Sequence, residues 1–109
     1  MAEPAFSPEE TNALDYHRAN LATNNVLRNA DGSLTTFKGA VVGTDKGQML
    51  LPTYWHGAVR EIPDAMRFAI RSGIRFPSYK TVEDALAAEQ RLHGIMETDV
   101  ATHLKKGQK

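Results

Sequence analysis

The sequence predicts an α+β fold: a short N-terminal helical arm, a three-stranded antiparallel meander, then two helices. Three observations carry this. Ser7-Pro8-Glu9-Glu10 has the form of a capping box, a Ser acceptor followed by Pro at the first helical position and Glu three residues on. Two runs rich in Thr, Val, Phe and other apolar residues flank a Gly-bounded turn. After residue 61 the apolar residues recur at helical spacing.

In chain order, the capping box opens a helix over 8–20. Its apolar content is thin, with Ala13, Leu14, Tyr16 and Ala19 among polar neighbours, so residues 1–28 read as an arm that docks elsewhere. Asn29-Ala30-Asp31-Gly32-Ser33 is a cluster of turn formers and marks the start of a compact α+β domain over 29–104. Strands are expected over 34–42 and 48–55, joined at Gly43-Thr44-Asp45-Lys46-Gly47. Pro52 cannot donate to a ladder and belongs where pairing ends. His56-Gly57 reads as a second tight turn into a third strand at 58–60. Pro63 starts a helix that Gly73 ends in the left-handed conformation. Thr81 with Asp84 opens a long helix to about Leu104, with a local break expected at Gly94 and a frayed basic tail over 105–109.

At 109 residues, 41% hydrophobic and 24% charged, the composition is that of one globular domain. Thirteen basic and thirteen acidic residues cancel, so no global field draws the chain to nucleic acid or an anionic membrane. With no cysteine there is no disulfide, thiolate ligand or Cys nucleophile. The first ten residues lack the basic and apolar regions of a secretory signal, and no run is long and apolar enough to span a membrane.

The search for chemistry points away from an enzyme. His17, His56, His93 and His103 form no metal-ligand spacing, although Asp99 and His103 lie one helical turn apart. The glycines at 39–47 lack the Lys-Ser/Thr of a phosphate loop. Glu9-Glu10 and Glu83-Asp84 suit first helical turns rather than acid–base pairs. Ser7, Ser33, Ser72 and Ser78 occupy caps and turns. No catalytic residue, cofactor or metal is expected.

Two features suggest binding. Arg67 and Arg71 share a helix face and make a basic patch for phosphates or an acidic partner, against the commoner alternative of a solvated face. Along a strand the faces alternate, so if Trp55 turns inward with Met49 and Leu51, then Tyr54 turns outward with Leu50. An outward aromatic beside an apolar neighbour is the pattern of an interface anchor, and burial beneath the N-terminal arm is its equal competitor.

The stretch Asn29-Ala30-Asp31-Gly32-Ser33-Leu34-Thr35-Thr36, then Gly43-Thr44-Asp45-Lys46-Gly47-Gln48-Met49-Leu50-Leu51-Pro52-Thr53, resembles a small module of tailed-bacteriophage proteins. That module runs as a polar Asp-Gly turn, a Thr-rich strand, an Asp-x-Gly turn and a "Leu-Ile-Pro-Thr" strand ending in an Asn-Gly hairpin. Asp64-Ala65 through Ser72-Gly73, and Tyr79-Lys80-Thr81-Val82-Glu83-Asp84-Ala85 followed by Arg91-Leu92-His93, are similar to its two helices. The likeness covers about residues 29–96. Tyr54-Trp55 stand where the module has small β-branched residues, and His56-Gly57 replaces Asn-Gly. The resemblance implies a non-enzymatic structural part of a virion, assembled in the host cytoplasm and contacting other virion proteins or copies of itself. The alternative is a phage regulatory protein that binds nucleic acid or a host protein.

Overall fold

The computed structural model describes residues 6–107 and has the predicted α+β class. Its elements are α1 (Pro8–Ala22), β1 (Leu27–Arg28), β2 (Leu34–Thr35), β3 (Gly39–Thr44), β4 (Gly47–Pro52), β5 (Tyr54–Trp55), β6 (Ala58–Val59), α2 (Ile62–Ser72), β7 (Ser78–Tyr79) and α3 (Val82–Gly107). The first five residues of the expected arm and the last two of the expected tail lie outside the described residues.

The local signals act as their chemistry requires. Ser7 accepts from the Glu10 amide and Glu10 accepts from the Ser7 amide, so both halves of the capping box form. Gly73 ends α2 at φ 73°, and His56 (φ 52°) and Gly57 (φ 85°) make the hairpin turn between β5 and β6. Gly94 does not interrupt α3, which continues through Lys105 and Lys106. Those two cations sit in its last turn, where the helix dipole favours them, so the expected tail is helical in its described part.

Three expectations about architecture are corrected. The strand foreseen over 34–42 is split at Lys38, whose φ of 45° turns the chain, and β2 pairs with β1 instead. Thr53 holds this bend: its amide donates to Phe37 and Lys38, and its hydroxyl donates to Lys38. The third strand beside β3 and β4 is β7, which pairs through Gln48 with Tyr79 and Met49 with Ser78, while β6 pairs only with β5. A two-residue strand is too short to show alternation, which is why β7 left no trace in the sequence.

The described part of the expected arm is also not separate. Ala13 and Leu14 belong to the central apolar cluster with Phe37, Leu50, Leu51, Trp55, Ala65, Ala69, Phe76, Leu92 and Met96. α1 packs along α3.

Gly47 is required where β4 begins. Its φ is 124°, and a Cβ there would meet the Tyr79 carbonyl oxygen at 2.5 Å. Gly47→Ala should therefore cost about 2 kcal/mol or more, from backbone strain and a displaced β4–β7 pairing. A shift in the urea midpoint checks this.

Candidate interaction surface

The strand face proposed as an anchor is interior. Leu50 and Tyr54 are both 0% exposed and Trp55 is 4% exposed, so none of the three offers a contact surface. Both faces of β5 are covered because α1 and α2 enclose it. The Tyr54 hydroxyl donates to Asn25 Oδ1 at 3.1 Å, just beyond α1, and the Tyr16 hydroxyl donates to the Tyr54 carbonyl. Trp55 stacks on Phe68 of α2 at 6.0 Å and donates through Nε1 to the Pro52 carbonyl at 2.8 Å. Alternation would have turned one of the two side chains to solvent only if a single layer had covered the strand.

Arg67 and Arg71 do share the outer face of α2 and are exposed. Arg67 is bonded to Asp64, one turn earlier, so part of the basic patch is neutralised within the helix. Arg71 enters no ion pair among the described residues.

The histidines fall into different roles. His56 is a turn residue packed on Phe68 at 4.8 Å. His93 lies on the surface of α3 between Glu89 (3.7 Å) and Glu97 (2.7 Å). Asp99 turns to α1 rather than to His103: its Oδ2 accepts from Arg18 Nε at 2.9 Å and from His17 Nε2 at 3.1 Å. Among the described residues no group of three or more His, Asp or Glu could hold a metal ion.

His17, which the sequence shows only as one of four histidines without metal-ligand spacing, is the functional-looking residue of the fold. A carboxylate only accepts, so Nε2 carries the proton given to Asp99, and Nδ1 accepts from the Thr36 hydroxyl at 2.5 Å. Burial holds the imidazole below its ordinary pKa, although Asp99 pulls it back up. Acid, imidazole and hydroxyl thus align with the polarity of a nucleophile relay. A nucleophile must meet a substrate carbon, however, and here the imidazole is 0% and Thr36 4% exposed. As folded, the chain of bonds ties α1, the segment after β2, and α3 together. Asn20 adds to this tie by donating to the Thr36 carbonyl at 2.9 Å. His17 lies three and four residues from buried Leu14, Ala13, Asn20 and Leu21, so helical periodicity was the signal available for its burial.

A second tie joins α1 to β7 and α3. Glu10 Oε2 accepts from the Tyr79 hydroxyl at 2.6 Å and from Arg91 Nη2 at 2.7 Å. Burial pushes the Glu10 carboxyl up, but bonds from Tyr79 and Ser7 and the charge of Arg91 outweigh it and hold it below the ordinary value. The Arg91 guanidinium also lies 5.2 Å over the Phe6 ring.

Beside the first tie lies an open groove of about 510 Å3. Leu34 and Phe37 line one wall, Met96, Val100, Ala101 and Leu104 of α3 the other. Its ionisable lining groups are Lys38, His93 and Glu97, the last two paired with each other. Asn29, Ser33, Thr35 and Thr36 add neutral polar groups to the same lining.

Comparison with protein-family models, with curated proteins and with solved structures finds no match to this chain. No described helix is long and apolar enough to cross a membrane.

Proposed function

We propose that the chain is a non-enzymatic structural and interaction protein, a small tailed-bacteriophage virion component held in a larger assembly. The observation that supports a binding role is the groove between the 29–38 segment and the C-terminal half of α3, open to solvent, with Leu34 and Phe37 among the polar residues of one wall and Met96, Val100, Ala101 and Leu104 on the other. The phage setting rests on the resemblance carried by the turn, strand and helix motifs of residues 29–96. The occupant of the groove is an apolar segment of another virion protein. The side-chain tie from His17 to Thr36 and Asp99 braces the groove wall at Thr36, which lowers the ordering cost of binding.

Ala101 is exposed and lines the groove, so Ala101→Arg fills it without touching the core. The wild-type chain should sediment with purified tailed-phage particles, and Ala101→Arg should be lost from them at least 10-fold while its melting temperature stays within a few degrees. Equal incorporation of both, or of neither, would count against this reading.

A further inference from the structure

The exposed large apolar side chains among the described residues are Val59, Ile62, Ile70, Val82 and Leu86. They fall in two places of opposite charge. Val59 lies in β6, Ile62 at the start of α2 and Ile70 near its end, and residues 59–75 carry Arg60, Arg67, Arg71 and Arg75 against Glu61 and Asp64. Ile70, 71% exposed, is three residues from Arg67 and so shares its face, with Arg71 beside it.

Val82 and Leu86 are one turn apart at the start of α3, where residues 82–97 carry Glu83, Asp84, Glu89 and Glu97 against Arg91 alone. Glu83 and Glu89 stand three residues before and after Leu86 and share its face. Arg91 is already bonded to Glu10, and Glu83 and Arg71 enter no ion pair among the described residues. Each face therefore presents exposed apolar side chains beside an unpaired charge, Arg71 on α2 and Glu83 on α3, while Arg67 is bonded to Asp64 and Glu89 lies 3.7 Å from His93.

We propose that the α2 face of one copy docks on the α3 face of a second copy, Ile70 against Val82 and Leu86, with Arg67 and Arg71 toward Glu83 and Glu89. This rests on the reading of the chain as a non-enzymatic assembly part and names a second copy as its partner. Because two different faces meet, the contact is heterologous: each added copy leaves one face of each kind free, and association continues into rings or filaments. Opposite charges also select the register, since like faces repel.

Two double variants test it, each on exposed positions. Ile70→Gln with Arg71→Gln disables the α2 face, and Leu86→Gln with Glu83→Gln disables the α3 face. Sedimentation should show wild-type mass rising with concentration and falling with salt, and each variant alone should be monomeric with unchanged helical circular dichroism. Mixed together, the two variants should give a 1:1 dimer and nothing larger, because one intact face of each kind remains. A wild-type chain that stays monomeric, a variant that still assembles, or a mixture that stays monomeric overturns the proposal. A monomeric wild type that binds a short duplex at low salt through Arg71 overturns it in favour of nucleic acid. A chain that assembles in solution as described but never sediments with particles upholds this contact and removes the virion placement.

Discussion

Trp55→Ala should cost about 3–5 kcal/mol, the range for deleting a large buried aromatic side chain. Trp55 is the hub of the aromatic core. Its ring lies 4.7 Å from Tyr16 of α1, 6.0 Å from Phe68 of α2 and 6.1 Å from Phe76 in the loop before β7, so its removal loosens three elements together. Those neighbours sit on helices and on a loop pinned by β7, and they cannot all close on one cavity. For a domain this size the loss corresponds to a melting temperature lower by roughly 15 °C or more. Tyr54→Phe removes only the hydroxyl bonded to Asn25 and should cost about 1 kcal/mol. Circular dichroism melts of the two variants check the contrast. If Trp55→Ala melted within a few degrees of wild type, β5 would not be enclosed as described.

Asp99→Ala should be the second most damaging change on the interior ties, at about 1–3 kcal/mol, because it strands the buried Nε2–H of His17 and frees Arg18. Asp99→Asn keeps an acceptor for that proton and should cost less. The same residues set the response to acid. His17 is held below its ordinary 6.5, so below pH 6.5 the unfolded chain binds a proton that the folded chain refuses. Stability is then highest above pH 6.5 and declines on acidification until the folded imidazole is itself protonated. Glu10, held below 4.5, adds a second decline of the same sign below pH 4.5. His17→Gln should remove the upper decline and leave the lower one. Urea midpoints between pH 8 and pH 4 would show it, and a wild-type profile flat down to pH 5 would contradict the assignment.

The parts of the fold that were legible in the sequence are those fixed by local chemistry. Ser7 and Glu10 announce α1, Gly73 closes α2, and His56-Gly57 gives the β5–β6 turn, because each depends on a dihedral preference or a bond spanning three residues. What was hidden depends on long-range contact. α1 looked peripheral because it enters the core through Ala13, Leu14 and the polar His17 rather than through a broad apolar stripe. Polar residues reach an interior only when partners are waiting, and the partners here are Thr36 and Asp99, 19 and 82 residues away. Tyr54 stayed open between an outward anchor and burial beneath the N-terminal segment for the related reason that a second covering layer cannot be read from one strand. The groove combines Leu34 and Phe37 with α3 residues some sixty positions later, a pairing no spacing rule supplies. Arg67 and Arg71 were found because a shared helix face is local, and the bond from Arg67 to Asp64 is the local detail that was missed.

The claim that matters most is that the groove holds another virion protein, and a photoactivatable cross-linker carried at position 101 tests it inside assembled particles. Irradiation should join the chain covalently to a second virion protein in high yield, with the adduct lost when the chain is free in solution. Particles that contain no such chain, or an adduct to nucleic acid alone, would contradict the account.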